Sequence, residues 1–417
     1  MVYASCSGQV PVAAVGNTTS PSVTVVPARD RVRLEKPYII QTQDNPASFA
    51  LVVPAAFQES AGVSWECCDP AEERDFRRVR LVTAEEPVER IQEALDEGKD
   101  VVLAPGIFAL ESTLVFRHSH QVLLGLGLAT LQNPPDGTPC IQVEPQVPGV
   151  RIAGVMLEAS ETHTTTLLQW GYENVTDPGD ATYPGGLFDV FVRVGGSVVV
   201  GGSEDRRATR VDTMMRLHAG HLVGDNLWLW RADHSDLQAN EEKANFPDIS
   251  SLYWQSEEED FHVGTGLEVG GDYVTVYGLA VEHANGHQTV WRGNHGHVAF
   301  YQCELPYGVS QSSYGDSNFT GYLLDDTVDH HQLYAPGVYS NFRNGPVVTA
   351  TAIRHPCKST IEVVNPFTVR LDNHFGIQSI VNDNGSSATE QGQPVRLPHL
   401  LDSSASEASD GETAQVS

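Results

Sequence analysis

What most constrains this chain is a succession of short β-rich segments with almost no helical periodicity between them. "VVLAPGIFAL", "STLVFR", "QVLLGLGLATLQ", "CIQVEP" and "VRIAGVMLEA" follow one another between residues 101 and 159. "LFDVFVRVGG", "HLVGDNLWLWRADH", "YVTVYGLAVEH" and "HVAFYQCELPY" continue the pattern to about residue 384. Gly, Asn and Asp punctuate them. Strands this short and this numerous exclude a helical bundle and leave a sandwich, a barrel, a propeller or a β-solenoid.

Repeat spacing chooses among these. Placing "YVTVYGLAVEHA" (273–284) over "HVAFYQCELPYG" (297–308) gives a 24-residue period, with Val274 on Val298, Val276 on Phe300 and Val281 on Leu305. One turn of chain per period is the signature of a parallel β-helix. The expected fold is therefore all-β: a single-stranded right-handed parallel β-helix, a pectate-lyase-like solenoid. The one helical pattern, "EEPVERIQEALDEGKD" (85–100), sets Val88, Ile91, Gln92 and Leu95 on one face before Gly98. It predicts a helix that caps the open end of the coil. Residues 1–80 are expected to supply strands decorating that cap, 81–384 the β-helix, and 385–417 an acidic disordered tail.

Composition narrows the function. Fifty-four Asp and Glu against 25 Lys and Arg give a formal charge of -29, which repels nucleic acid, anionic membranes and polyuronates alike. No run of 18 apolar residues exists, so no membrane-spanning helix is expected. The first residues, MVYASCSGQVPVAAVGNTT, lack the basic and apolar regions of a secretory signal. Cysteines at 6, 67, 68, 140, 303 and 357 show no zinc-site spacing. They leave room for one or two disulfides. Together with sequons at Asn17, Asn174, Asn318 and Asn384, they lean to an extracellular setting.

Against that acidity, residues 280–308 hold only two acids, Glu282 and Glu304. In the 24-residue frame Leu229, Val281 and Leu305 face inward. Trp228, Ala280 and Glu304 form one outer column, and Trp230, Glu282 and Pro306 form the next. Both carboxyls then share an exposed face, one turn and two residues apart, with Cα atoms roughly 8 Å from each other. Such a pair suits hydrolysis of a glycosidic bond, for which inverting enzymes hold their carboxyls about 6.5–9.5 Å apart. Trp228 and Trp230 offer flat apolar surfaces for sugar rings, and scarce neighbouring charge helps one carboxyl keep its proton. The blander account is that both glutamates are solvated strand residues and the tryptophans belong to the core. The acidic stretch 237–261 reads as a loop inserted between two turns. Its Phe246, Tyr253 and Trp254 are expected to wall the site, a task that the segment 308–320 or a second copy of the chain could also serve.

The segments "LWLWRADH" (227–234), "GLEV" (266–269), "YGLAVEH" (277–283), "YQCELPY" (301–307) and "GVYSNF" (337–342) resemble the family-55 glycoside hydrolases. That resemblance is strongest over about 220–345. It implies a β-1,3-glucanase on a parallel β-helix, releasing sugar from chain ends with inversion and without a cofactor or metal. Carried over by residue, it makes Glu304 the general acid and Glu282 the group that assists the attacking water. It places Asp233 and His234 near the sugar and His283, Gln302 and Tyr307 around it. The family carries two β-helices side by side, whereas this chain has room for one, resembling the second. Two other functions fit the fold: a carbohydrate-binding solenoid without turnover, and a polysaccharide lyase or epimerase. The latter needs a cation to neutralise a uronate, for which Arg231, Arg292 and Asp233, or the cluster "LLDDTVDHH" (323–331), are the candidates. The chain has only four lysines, which weighs against it.

Overall fold

A computed structural model describes residues 2–4, 24–26, 32–42, 48–58, 71–196, 209–236, 253–256, 260–372 and 376–397. The chain passes alternately through two parallel sheets, of 13 and nine strands among the described residues. Strands Val122–Gln132, Arg151–Glu158, Gly185–Val194, Leu222–Arg231, Thr275–Glu282, Gly296–Glu304 and His331–Ser340 lie side by side in the longer sheet. Ile141–Val143, Thr164–Trp170, Thr209–Leu217, Phe261–Val269, Thr289–Trp291 and Tyr322–Leu324 do so in the other. Each strand pairs with its equivalent one turn later, which is the parallel β-helix that the strand pattern predicts. Among the described residues no helix is long and apolar enough to cross a membrane.

The fixed 24-residue period is not what the chain adopts. Thr275 pairs with His297, His297 with Gln332, and Val223 with Thr275. One turn therefore takes 22, 35 and 52 residues in these cases, because the loops between strands differ in length. The inward parity survives the change. Leu229, Val281 and Cys303 line up in adjacent turns and are fully buried, each aliphatic one contributing about 1.5–3 kcal/mol. Leu305, expected in that column, is buried two residues further on.

Six of these seven long strands hold one left-handed residue, Gly154, Asp189, Asn226, Gly278, Phe300 and Ala335 at φ between 48° and 71°, and Val122–Gln132 holds two, Gly127 and Leu128. The ladder steps over them, pairing Asp225 with Tyr277 and then Leu227 with Leu279. A single left-handed residue turns an extended strand sharply, so each long strand has two outer faces rather than one. Gly278 adopts this conformation freely. Phe300 and Ala335 hold it at about 1–2 kcal/mol each.

The two faces meet different fates. Before the corner, Leu34, Leu51 and Val53 pack against Val102, Val122, Ala153, Phe188 and Val223 as a second core. These come from an N-terminal segment that includes strands Tyr38–Gln41, Phe49–Pro54 and Ala71–Asp75. The Tyr277 hydroxyl donates to Val32 O at 2.9 Å, and a buried Arg74–Asp100 pair at 2.9 Å ties the segment to the coil. Beyond the corner, Trp228, Glu282, Gln302 and Glu304 stand on a face that the described residues of this segment do not cover.

The helix runs Glu89–Asp96, shorter than expected, with Ile91, Ala94 and Leu95 in the main core. Gln92 does not join that core. Its amide exchanges hydrogen bonds with the N–H and C=O of Val115, at 2.7 and 3.1 Å, on the first strand of the shorter sheet. At the other end the order extends past 384, where Pro394–Arg396 pairs antiparallel with Phe367–Arg370. The acidic tail at 402–417 lies outside the described residues. Cys140 and Cys303 are buried free thiols and Cys357 is an exposed one; Cys6, Cys67 and Cys68 are not among the described residues.

Candidate active site

With a 22-residue step Glu282 pairs directly with Glu304, and across a 52-residue step Trp230 pairs with Glu282. Trp230, Glu282, Glu304 and Tyr339 thus form one outward column, and Trp228, Ala280, Gln302 and Gly337 the other. The expected offset of two residues is corrected: the two carboxyls leave adjacent turns, whose Cα atoms are about 4.8 Å apart. Pro306 has no place in the column.

Trp228 is 41% exposed and crosses to Glu282, donating its Nε1–H to Oε2 at 2.8 Å. It lies over Trp230 at 5.8 Å between centroids and 28° between planes, and Phe191 meets it edge-on at 6.1 Å. His234 sits against Trp230 at 5.3 Å. The tryptophans are therefore surface, not core. Phe191 was not singled out in the sequence, where "LFDVFVRVGG" reads as one more β-rich segment.

Glu304 accepts a hydrogen bond from the Tyr307 hydroxyl through Oε2 and one from Gln302 Nε2 at 3.3 Å through Oε1. Burial and the adjacent Glu304 push the Tyr307 phenol well up, so it remains a donor. Burial pushes Glu282 up to about 7; the bond from Trp228 opposes this and the charge of Glu304 reinforces it. Asp233 behaves oppositely. Burial alone would raise it, but His283, His234 and Arg343 together hold it below the usual carboxylate range.

Behind these groups the predicted contacts resolve differently. His283 is buried under Tyr307, ring to ring at 4.4 Å, which shields it from a sugar, and burial pushes it down to about 4. Its Nε2 lies 3.7 Å from Asp233 Oδ1 and 4.0 Å from Glu304 Oε2. Asp233 is itself buried and bound to His234 Nδ1 at 2.9 Å and Arg343 Nη2 at 2.6 Å. Asp233 and His283 are thus buried behind the glutamates, whereas His234 keeps 41% of its side chain exposed. Arg343 escaped the sequence reading, its only signal being that it follows "GVYSNF" directly.

The cations weighed for a lyase lie elsewhere. Arg231 is buried and donates to Phe261 O, and Arg292 is paired with Glu268 on the shorter sheet. The 323–331 cluster is dispersed: Asp325 caps its own turn, Asp329 pairs with Lys358, and buried His331 meets Tyr322. Of the inserted loop, strands His234–Asp236 and Tyr253–Gln255 pair antiparallel, so it departs and returns as a ribbon beside the site. Phe246 and the side chains of Tyr253 and Trp254 lie outside the described residues.

The raised Glu282 makes stability depend on pH. A carboxyl titrating near 7 when folded and near 4.5 when unfolded favours the native state most at low pH. That contribution is lost as pH rises from about 4.5 through about 7. In Glu282→Gln this part of the slope should vanish: the variant gains on wild type at pH 8 and matches it more closely at pH 4. Melting curves across that range check it, and parallel curves for the two proteins would contradict it.

Comparison with known proteins agrees with the fold. Residues 79–304, more than half of the chain, match the LAM55 pectate lyase-like domain. An exo-β-1,3-glucanase of Streptomyces sp. (strain SirexAA-E / ActE) is 28% identical over 361 residues, covering 85% of this chain and 54% of that protein. The chain thus spans about half the length of this relative. The solved structure of sacteLam55A from Streptomyces sp. SirexAA-E matches with a TM-score of 0.79 at 25% identity, over 95% of this chain and 67% of that one. A variant of sacteLam55A in complex with glucose matches at 0.77 and 25% identity, over 92% and 65%. A parallel β-helix carrying paired glutamates beside tryptophans, matched over these residues, belongs to the LAM55 pectate lyase-like family.

Proposed function

We propose that this protein is a glycoside hydrolase acting on β-1,3-glucan outside the cell, on a right-handed coil closed at its first turn by the helix Glu89–Asp96. Glu304 is the proton donor and Glu282 assists the attacking water. The observation that carries this reading is the column Trp230–Glu282–Glu304, two carboxyls on adjacent turns flanked by indoles, one keeping its proton to about pH 7. The exo-β-1,3-glucanase named above supports the choice of polymer. The excess of acid supports a neutral one.

In this reading a glucan chain rests on Trp228 and Trp230, with its scissile oxygen at Glu304. Proton transfer from Glu304 lets the glycosidic C–O bond break while positive charge gathers at the sugar carbon and ring oxygen. The carboxylate left behind is met by the Tyr307 O–H and the Gln302 N–H, both better partners for the charged form. Water completes the reaction at the sugar carbon. We take the outcome as inversion, on the family resemblance. Neighbours in one column approach a ring from the same side, so Glu282 acts on the attacking water as a relay, through a group held across the ring from Glu304. The group opposite has to come from a further wall. We assign that wall to the ribbon leaving at His234–Asp236, with a second copy of the chain as the other source.

Glu282's retained proton favours a second assignment, in which the two glutamates exchange roles. A lyase or epimerase is disfavoured by the positions of Arg231 and Arg292. A purely binding solenoid would keep the tryptophans and not turn over.

The test is incubation with neutral β-glucans and uronic-acid polymers, with and without EDTA. New reducing ends from β-1,3-glucan alone, unaffected by EDTA, are expected. Unsaturated products, or activity lost in EDTA and restored by Ca²⁺, would assign a lyase. Binding without new ends would assign a carbohydrate-binding protein.

A further inference from the structure

Three chain turns far apart in sequence meet behind the glutamates, and one side chain joins them. Arg343 follows the strand His331–Ser340. Its Nη2 reaches Asp233 Oδ2 at 2.6 Å and its Nη1 the Asp233 carbonyl at 3.3 Å, across 110 residues of chain. Its guanidinium lies 4.6 Å from the centre of the Tyr307 ring, and its backbone N–H donates to Tyr307 O at 2.9 Å. His283 meets the same ring edge-on at 4.4 Å. Tyr307 is therefore held by a cation and an imidazole while its hydroxyl holds Glu304.

We infer that Arg343 is a positioning residue for the Glu282–Glu304 pair: it clamps Asp233 and the Tyr307 ring, and so fixes the hydroxyl that orients Glu304. The inference rests on the glycosidase reading for its effect on turnover, but the clamp itself does not. Arginine is suited to this because its planar fork takes the carboxylate with one edge and stacks on the phenol with its face. Lysine supplies the charge without the fork or the plane. Asp233 in turn has no freedom to serve as a mobile base, since His234 and Arg343 occupy its two oxygens. Losing Arg343 would also leave a buried Asp233 beside Glu282 and Glu304 without the guanidinium paired to its Oδ2.

Arg343→Met keeps much of the stem and removes both contacts. Its kcat on β-1,3-glucan should fall about tenfold to a hundredfold, the scale of misplacing a reacting group by an ångström, with KM within about threefold of wild type. Arg343→Lys should recover only part of the loss, and millimolar guanidinium should restore some activity to Arg343→Ala. Because Arg343 acts through Tyr307, combining Arg343→Met with Tyr307→Phe should cost clearly less than the two single losses multiplied together. A methionine variant with wild-type kcat, or fully multiplicative losses, would overturn the clamp. Should wild type release no sugar, the glycosidase reading fails, and the Asp233 carboxyl followed by ¹³C NMR decides on the clamp separately. Its midpoint rises in Arg343→Met, or Arg343→Lys if the former does not fold, when the clamp exists, and stays put when it does not.

Discussion

Glu304→Gln should lose at least about a hundredfold of its turnover on β-1,3-glucan while its fold and glucan affinity stay near those of wild type. Glutamine fills the same volume and still accepts the Tyr307 hydroxyl, so the column Trp230–Glu282–Glu304 is not disturbed. What disappears is the proton. A substrate whose leaving group departs without protonation should be cleaved by the variant with far less loss, because the missing step is the one it does not need. The same comparison separates the two glutamates. If Glu282→Gln rather than Glu304→Gln shows selective rescue by a good leaving group, the donor is Glu282. Near-wild-type activity of Glu304→Gln on the polymer would end the assignment.

Trp291→Ala should destabilise the protein by about 3–5 kcal/mol, the usual cost of deleting a large buried aromatic. Trp291 is fully buried in the shorter sheet. It stacks along the coil on Tyr322 at 6.3 Å and 21°, meets His331 of the longer sheet edge-on at 4.8 Å, and donates Nε1–H to Gly293 O at 3.1 Å. One substitution thus opens a cavity between both sheets and leaves a carbonyl without its donor. Urea unfolding measures the loss. A change below about 1 kcal/mol would mean that the coil interior is not packed as described.

Tryptophans at 228 and 291 sit in similar sequence surroundings yet do opposite work, and the reason locates what was legible. In "LWLWRADH" the alternation of Leu227 and Leu229 with Trp228 and Trp230 sets the indoles outward, whatever the period. That is why the shared face of Glu282 and Glu304 could be read before their separation could. Separation depends on register, and register depends on loops whose lengths alternation does not constrain. The corners show the same limit. Asn226 and Gly278 are residues expected at positive φ, but Phe300 and Ala335 are not, so nothing local marked each long strand as bent. With the bend hidden, the covered and open outer faces were indistinguishable. Arg343 was invisible for a different reason: its meaning lies in Asp233, 110 residues away, and a lone arginine after a turn carries no signature. The helix was placed from its apolar spacing, yet Gln92 on that face serves the edge of a strand instead of the core.

The measurement that bears most directly on the account is ¹H NMR of the purified chain acting on a soluble β-1,3-glucan, recorded before the released sugar equilibrates. Sugar should appear first as the α anomer, and Glu304→Gln should abolish the signal. Glucan that binds but yields no sugar, or sugar that appears first as the β anomer, would contradict this.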